Sequence, residues 1–422
     1  MAREKRIDNM KDFFAIILGS DDNAYGTARL LHERYGDACR PLMLCTRALR
    51  ATAHSRLFDI QVVEDFDKDE VFVSTLRETL QKLKQEYNAV VVIPCADYYL
   101  YLLARHYEKF DGMIANRVIG VDLLDEIERK DSFYALCEKY GLDYPKTVTV
   151  TKEEREGALE GDALRFPIVV KPENSNASEY LHCEFEGKKK VFFFKNKEEY
   201  LTMVRAMNRS DYGGKLILQE YIPGDDTAMR TLNCYCGSDG KVHCAVLGQP
   251  VLEEYAPKTL GNYAAIIPRR DGEIKERLSL FLEELGYVGF ANFDMKYDSR
   301  TGKYMLFEIN PRLGRSSFFV HGAGVNFLAM LVEDCVFGRR ETVTPVADGT
   351  LWTAVPRSVL MKYVKNAEIR KEIKALYKAK KVERTLFYKP DLLLKRRLIL
   401  LRHFYSYVKV YRQYYFDKDM PE

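Results

Sequence analysis

Two acidic side chains and one amide fall on neighbouring strands of a predicted hairpin near residue 300. VGFANFDMKY is followed by the turn DSRTG and then by YMLFEIN, a pattern typical of two antiparallel strands joined by a tight turn. Side chains alternate between the faces of a strand, so Glu308 and Asn310 share a face and Asp294 can converge on them. Two carboxylates and an amide oxygen, without His or Cys, suit Mg²⁺. The alternative is an amphipathic hairpin with a solvated polar face.

Two arginines and two serines follow this hairpin directly, in the segment NPRLGRSS. The planar guanidinium groups of Arg312 and Arg315 suit phosphate or carboxylate groups. Ser316 and Ser317 come directly after them. The segment is therefore a candidate binding site for an anionic group.

A second group of candidates ends two other predicted strands. Lys171 ends the apolar strand FPIVVKP, where a lysine is unusual without an anionic partner. In QEYIPGDD, the strand end at 220–222 can offer backbone groups to a base, and Asp226 can bond a ribose hydroxyl. No GxxxxGK[ST] and no complete GxGxxG is present, which disfavours a P-loop enzyme and a dinucleotide-dependent dehydrogenase.

The first hundred residues alternate between predicted strands and helices, which favours a small parallel α/β unit. Ligands of open parallel sheets bind beyond the carboxyl ends of the strands. The polar side chains at these ends are candidate substrate contacts, with helix capping and turn formation as the alternative. They are Asp21, Asn23, Asp97 and Tyr98. The predicted strands cover residues 13–18, 41–45, 60–63 and 89–93, and the predicted helices cover 25–35 and 69–87.

From about residue 116 the pattern changes to longer, mixed segments. The strands predicted there cover 146–150, 216–222, 231–236 and 242–248, the helices cover 131–140, 197–207 and 273–285, and a hairpin around the basic turn KKK covers 182–195. Beyond about residue 345 the sequence becomes helical and basic. We therefore predict an α/β protein of three parts. These are a parallel α/β domain over 1–115, a two-lobed domain over 116–344 with its small lobe at about 146–222, and a helical extension over 345–422.

The net charge of +3 over 422 residues hides an uneven distribution. Residues 355–422 contain 18 Lys and Arg against 7 Asp and Glu, a net charge of +11, so the preceding residues carry −8. The near-balance of the whole chain disfavours nucleic acid as a partner. No uncharged apolar run approaches the roughly 18–20 residues of a membrane-spanning helix. The first residues do not read as a signal peptide, and the nine scattered cysteines fit a reducing compartment, so a cytoplasmic protein is predicted.

In their order along the chain, these segments resemble the ATP-grasp superfamily. The shared pattern is a lysine before the small lobe, a strand-ending lysine, an adenine-binding strand ending in Glu, and an acid followed by Glu-x-Asn on the next strand. GSDDNAYGTARLLHERYG, QEYIPGDDTAMRTLN and FEINPRLGRSSFFV are further similar to the D-aspartate ligases of Gram-positive bacteria. The resemblance implies a preceding α/β domain, ATP contacts at Lys130, Lys171, Glu220, Tyr221, Ile222 and Asp226, and metal ligands at Asp294, Glu308 and Asn310.

The resemblance also implies the chemistry. In this superfamily a carboxylate attacks the γ-phosphate of ATP to give an acyl phosphate and ADP, and an amine then displaces phosphate. Catalysis of this kind needs cations at the phosphates rather than a side-chain nucleophile. ATP and two Mg²⁺ ions, for which Mn²⁺ can substitute, are the expected cofactors, and Lys171, Arg230 and Arg312 the expected catalytic cations. ENSNASE, at 173–179, is expected to close over the phosphates, although it lacks the glycine of many such loops.

In D-aspartate ligases the activated group is the β-carboxylate, and the acceptor is the side-chain amine of L-lysine in the stem peptide of a cytoplasmic peptidoglycan precursor. This reaction is the leading expectation, and Arg315, Ser316 and Ser317 are then expected to hold a carboxylate of the amino acid or of the acceptor. Two alternatives stay open. One is an ATP-grasp ligase for another acid or amine, such as a dipeptide or natural-product ligase, and the other is a nucleotide-binding scaffold without turnover.

The basic tail has no assigned role in this resemblance. KPDLLLKRRLILLRHFYSYVKVYRQYYF mixes apolar and basic residues at helical spacing. Such a helix is expected to dock on the acidic body, to lie peripherally on an anionic membrane surface, or to help recognise a diphosphate-bearing precursor.

Overall fold

A computed structural model describes residues 11–416, except for 111, 161–163, 174–177, 190, 258, 271 and 347–348. The described chain divides into two compact units. Unit 1 contains residues 11–126, 229–294 and 309–416, and unit 2 contains residues 127–228 and 295–308. The predicted domain boundaries at 115 and 344 remain predictions.

A four-stranded parallel sheet begins the chain, as predicted. Its strands, in the spatial order β3-β2-β1-β4, are β1 (Lys11–Leu18), β2 (Leu42–Cys45), β3 (Asp59–Val62) and β4 (Tyr87–Pro94). Leu18 lies opposite Pro94 in the register, so the central strands β1 and β4 end side by side. The helices α1 (Asp22–Tyr35) and α3 (Asp97–Arg105) begin just beyond those ends, while α2 (Asp69–Leu83) precedes β4. This arrangement places the predicted polar residues of both strand ends at one edge of the sheet.

A seven-stranded sheet has the order β13-β12-β9-β10-β11-β14-β15. The predicted hairpin is confirmed as β12 (Gly289–Asp298) and β13 (Lys303–Asn310), and the predicted strands before it are β9 (Met229–Cys236) and β10 (Val242–Glu253). Three strands were not predicted. They are β11 (Tyr263–Arg269), β14 (Leu351–Thr353) and β15 (Val382–Glu383), the last two of which come from the region predicted to be helical.

A four-stranded antiparallel sheet lies in unit 2, in the order β5-β8-β6-β7. Its strands are β5 (Thr147–Val150), β6 (Ile168–Pro172), β7 (Phe192–Phe194) and β8 (Leu216–Glu220). The hairpin predicted over 182–195 is wrong, because Ser178–His182 forms a helix and β7 pairs with β6 instead. Phe192 and Phe194 are buried with β6 residues in the core of this unit, so packing, rather than the basic turn, sets the partner of β7.

The remaining helices complete the two units. They are α4 (Val121–Glu128), α5 (Lys130–Lys139), α6 (Ser178–His182), α7 (Lys197–Asn208), α8 (Gly272–Glu284), α9 (Phe319–Gly322), α10 (Phe327–Cys335), α11 (Arg357–Tyr363), α12 (Ala367–Lys378) and α13 (Leu394–Tyr414). Among the described residues no single helix has the length and apolarity to cross a membrane. The segments Arg315–Gly322 and Phe327–Cys335 meet that criterion only as a pair bent by 90°.

The basic tail docks within unit 1, which is one of the three predicted outcomes. Arg396, in α13, is fully buried and ion-paired with buried Asp391 at 3.1 Å. Tyr407 and Tyr411, about three and four turns further along α13, are also buried and donate hydrogen bonds to Glu254 and to the Glu253 carbonyl. The helix is therefore attached through charged and polar contacts as well as through apolar packing.

Candidate active site

Two lysines and a glutamate form a cluster in unit 2. Lys130 is the first residue of α5, and its Nζ donates to Glu308 Oε2 at 2.6 Å and to the Phe307 carbonyl at 2.8 Å. Glu308 lies on β13, close enough to Lys171 on β6 for the two charges to interact. The structure thus brings together three of the predicted site residues.

Lys171 is the cation of this cluster whose charge is least stabilised. Its side chain is partly buried, and no hydrogen bond or ion pair joins its Nζ to a described residue. Burial and the neighbouring Lys130 charge lower the pKa of Lys171 to about 8, and the Glu308 carboxylate opposes that shift. A partly buried lysine whose Nζ has no partner among the described residues is stabilised in its charged form when a polyanion binds next to it.

The predicted adenine segment lies at the end of β8. The Glu220 and Tyr221 N–H groups donate to the carbonyls of Lys146 and Pro167, each at 3.0 Å. The next N–H, of buried Ile222, donates to no described residue. A spare backbone donor at the end of a strand can bind a ring nitrogen of a purine base, whose hydrogen-bonding edge is then read by the main chain.

Asp226 and Arg230 follow this segment. Asp226 is buried at the start of the short 3₁₀ helix Asp226–Ala228. Arg230 lies on β9, with Nη1 2.7 Å from the Met229 carbonyl. Residues 174–177 of the predicted phosphate loop lie outside the described part of the chain. The roles of these residues toward ATP remain predictions.

Asp294 and Asn310 are joined across the β12–β13 hairpin in unit 1. Asn310 Nδ2 donates to Asp294 Oδ2 at 3.0 Å, and the Tyr263 hydroxyl donates to Asp294 Oδ1 at 2.9 Å. Because the nitrogen of the Asn310 amide faces the carboxylate, its oxygen is left to accept from another group or to bind a cation. Glu308 precedes Asn310 by two residues on β13 and so shares its face of the strand.

This donor set fits a hard cation in chemistry and number. Asp294, Glu308 and Asn310 supply two carboxylates and one amide oxygen, which suits Mg²⁺ when phosphate and water oxygens complete the coordination. Across the described part of the chain there is no group of three or more His, Cys, Asp or Glu side chains arranged to hold a metal. A site for a transition metal that prefers nitrogen or sulfur is therefore not indicated among those residues.

Arg312 is held by the first residue of α3. Its Nε and Nη2 donate to the two carboxylate oxygens of Asp97, at 2.5 and 2.9 Å. Burial alone would lower the pKa of Arg312, but the Asp97 charge outweighs it and raises that pKa, so the guanidinium stays charged. The structure therefore brings Asp97 to Arg312, and this fork-to-fork pair fixes the plane of the guanidinium group.

Arg315 forms a second charged group with residues of the core and the tail. Its Nη2 donates to Glu254 Oε1 at 2.6 Å and to the Tyr263 carbonyl at 3.2 Å. Burial alone would lower the pKa of Arg315, but the negative charge of Glu254 outweighs this effect and raises that pKa. Asp22 lies nearby, and burial raises the pKa of its carboxyl group. Two cavities of about 20 and 30 Å³ border both Arg315 and Asp22, and each has room for about one water molecule.

Ser317 belongs to a buried polar network behind the hairpin. Its Oγ accepts from the Gly314 N–H at 2.8 Å and donates to Asn233 Oδ1 at 2.5 Å. Asn233 in turn donates to Oδ1 of Asn292, two residues before Asp294, at 3.0 Å. Ser317 thus fixes the turn after the hairpin, and Ser316 beside it is half-buried.

Two strand-end residues of the N-terminal sheet, Asp21 and Asn23, have hydrogen-bond partners within the protein. Asp21 caps α1 by accepting from the Ala24 N–H at 2.9 Å, and burial raises the pKa of its carboxyl group. Asn23 is buried, and its amide nitrogen donates to the carbonyls of Cys95 and Leu313, at 3.1 and 2.6 Å. The Asp21 contact matches the helix-capping alternative, whereas Asn23 joins the residue after β4 to the segment after β13, and a substrate contact by either residue remains a prediction.

Four residues that complete these groups were not predicted from the sequence. Asp22, Tyr263 and Glu254 hold or neighbour the predicted residues, and Tyr407 approaches from the tail to bond Glu254 at 3.1 Å. Asp22 could have been found, because it follows Asp21 beyond the end of β1. The other three come from distant segments whose proximity no local pattern indicates.

Known proteins resemble this chain over most of its length, although no family model matches it. A D-aspartate ligase of Enterococcus faecium (strain Aus0004) is 37% identical over 417 residues, which cover 97% of this chain and 98% of that protein. An L-amino acid ligase from Bacillus licheniformis shares the fold, with a TM-score of 0.54 and 14% identity over 80% of this chain and 75% of that one. The ADP complex of an N5-carboxyaminoimidazole ribonucleotide synthetase also shares it, with a TM-score of 0.54 and 14% identity over 79% and 80% of the two chains.

The mixed α/β fold and the sequence similarity over nearly the whole chain both indicate a ligase of this fold. The structure also places Lys130, Lys171 and Glu308 in one cluster and joins Asp294 to Asn310. With 37% identity to a D-aspartate ligase across 97% of its residues, this protein belongs to the D-aspartate ligase family of ATP-grasp enzymes, which are ATP-dependent carboxylate–amine ligases.

Proposed function

We propose that this enzyme activates the β-carboxylate of D-aspartate with ATP and joins it to the side-chain amine of L-lysine in the stem peptide of a peptidoglycan precursor. The observation that carries the proposal is the 37% identity to a D-aspartate ligase over 97% of the chain. The reaction would take place in the cytoplasm, where ATP and such precursors are available.

Lys130, Lys171 and the 220–222 segment would bind ATP. Lys171 offers a cation without a hydrogen-bond partner among the described residues, and the Ile222 N–H offers a free donor to the adenine ring. Lys130 would exchange part of its contact with Glu308 for a phosphate oxygen. Asp226 would bond the ribose, and Arg230 would contact the γ-phosphate.

Asp294, Glu308 and Asn310 would hold Mg²⁺, two ions in our proposal, with Mn²⁺ able to replace them. When bound, the metal neutralises negative charge on the phosphates that the substrate carboxylate must approach. Around that centre the chain itself contributes Arg312, whose guanidinium is held in one plane by Asp97 and can stabilise charge on the reacting carboxylate and phosphoryl oxygens.

The reaction itself needs no covalent bond to the enzyme. A β-carboxylate oxygen forms a bond to the γ-phosphorus as the bond to ADP breaks, and the resulting acyl phosphate is attacked at carbon by the amine. Phosphate leaves with the original carboxylate oxygen, and the amine loses its proton. The residues of unit 1 proposed to hold the amino acid or the acceptor are Asp21, Asn23, Asp97, Arg315, Ser316 and Ser317.

A panel of amino acids tests this function. ADP release with Mg-ATP should require D-aspartate and an L-lysine-containing stem peptide together, and neither L-aspartate nor D-glutamate should replace D-aspartate. Release with a different acid or amine would favour the second candidate, an ATP-grasp ligase for another substrate pair. ADP release that is independent of every amino acid would contradict the ligase assignment.

A further inference from the structure

The long C-terminal helix α13 carries two separate apolar faces. The inward face includes Leu400, Tyr407 and Tyr411, which are buried in unit 1 together with Arg396. These residues follow one another at intervals of four or seven positions, which places them on one side of a helix. Their packing and hydrogen bonds are sufficient to dock the helix on the body of the enzyme.

The outward face is also apolar, and most of it is exposed to solvent. Leu394, Leu398 and Tyr405 are 75%, 60% and 61% exposed, and half-buried Leu401 lies between them. The intervals of four, three and four residues align all four side chains in one stripe, roughly opposite the inward face. A docked surface helix ordinarily presents polar residues to water, so a row of exposed leucines indicates contact with another surface.

The charges beside this stripe are all positive. Lys395, Arg397, Arg402, Lys409 and Arg412 are exposed, and none of them forms an ion pair with a described residue. The 21 residues of α13 include no Asp or Glu. An apolar stripe flanked by unpaired cations is complementary to a surface that offers anionic groups above an apolar layer, which is the arrangement of a phospholipid bilayer.

We propose that α13 binds peripherally to an anionic phospholipid bilayer through this outward face. Leu394, Leu398 and Tyr405 would enter the boundary between headgroups and acyl chains, while Arg402 and Lys409 lie at the level of the lipid phosphates. The helix is about 30 Å long, and the inward face keeps the body of the enzyme attached while the outward face lies flat on the membrane. The proposal does not depend on which amino acid the enzyme activates.

Co-sedimentation of the full-length enzyme with vesicles tests this proposal. The enzyme should pellet with vesicles of equal phosphatidylglycerol and phosphatidylcholine, and should stay in the supernatant with pure phosphatidylcholine. Binding should weaken as salt is raised, because the cations lie in water.

Two double variants separate the apolar from the electrostatic contribution. L394S/L398S should weaken binding to the anionic vesicles about tenfold or more, because two exposed leucines no longer enter the interface. R402Q/K409Q should weaken binding to the anionic vesicles about 30-fold, because each cation near the membrane surface contributes roughly 1 kcal/mol and two are removed.

Control variants carry changes of the same type on other helices. Leu280→Ser removes an exposed leucine from α8, and K374Q/K378Q removes two exposed lysines from α12, so both should bind as the wild type does. Unchanged thermal unfolding would show that the α13 variants keep their fold. Ligase activity on soluble substrates should be the same in all five proteins.

Three results would overturn the proposal. One is wild-type protein that does not pellet with anionic vesicles, and another is α13 variants that bind as tightly as their controls. The third is a wild-type protein that does not bind vesicles but sediments as a dimer, and that becomes a monomer in L394S/L398S. That result would assign the apolar stripe to an interface with a second copy of the chain.

Discussion

The pKa of Lys171 predicts a specific pH dependence of ATP binding. Burial and the Lys130 charge lower this pKa to about 8, so the lysine is mostly charged below pH 8 and mostly neutral above it. ATP favours the charged form, because its phosphates interact only with the cation. Affinity that depends on Lys171 should therefore be complete at pH 7 and be lost as the pH rises through about 8.

The size of the effect follows from the population of the charged form. With a pKa of about 8, roughly nine-tenths of Lys171 is charged at pH 7 and roughly one-tenth at pH 9. If only the charged form binds, the dissociation constant should rise about tenfold between these values, equivalent to about 1.4 kcal/mol. The phosphates of ATP add little to this change, because their second ionisation lies near pH 6, at about the value of phosphate monoesters.

Calorimetric titration with a non-hydrolysable ATP analogue and Mg²⁺ at pH 7, 8 and 9 measures this dependence. Lys171→Arg is the control, because arginine stays charged over the whole range, so its affinity should change by less than about twofold. Lys171→Met should bind weakly at every pH. An affinity of the wild type that is constant from pH 7 to 9, or a tenfold change retained in Lys171→Arg, would refute this reasoning.

Three further variants test other parts of the site and fold. Glu308→Gln should lower kcat by about 100-fold or more, because it removes a charge proposed to hold both the metal and Lys130. The circular dichroism spectrum should stay unchanged, and near-normal turnover would contradict the metal assignment. Asp97→Asn should lower kcat about tenfold, because the carboxylate holds Arg312, and should raise the KM for the amino acid or the acceptor that Asp97 is proposed to contact. Wild-type values of both constants would contradict both roles. Asp391→Asn should lower the free energy of unfolding by about 3–5 kcal/mol, because it leaves the buried charge of Arg396 unpaired. Denaturant titration followed by fluorescence of the single tryptophan measures this change. A loss under about 1 kcal/mol would show that the ion pair contributes little to stability.

The parts of the site that depend on local geometry could be predicted from the sequence. Strand alternation placed Glu308 and Asn310 on one face, and the tight turn DSRTG joined their strand to that of Asp294. The structure confirms this hairpin and the contact between Asp294 and Asn310. These features involve neighbouring residues, whose relation is set by the period of a strand and the geometry of a turn.

The contacts between distant segments could not be predicted in the same way. Arg312 reaches Asp97 across 215 positions, and Tyr407 reaches Glu254 across 153. No periodicity connects such residues, because tertiary packing alone brings their strands and helices together. The wrong hairpin over 182–195 has the same origin, since β7 pairs with β6, and Phe192 and Phe194 are buried with residues of that strand.

The transfer of an oxygen atom from D-aspartate to phosphate is the direct test of whether the β-carboxylate is activated as an acyl phosphate. D-aspartate labelled with ¹⁸O in its β-carboxylate would be incubated with the enzyme, Mg-ATP and an L-lysine-containing stem peptide, and the released phosphate analysed by mass spectrometry. Activation of that carboxylate as an acyl phosphate predicts one ¹⁸O atom in each phosphate formed with ligated product. Ligated product accompanied by unlabelled phosphate would contradict it.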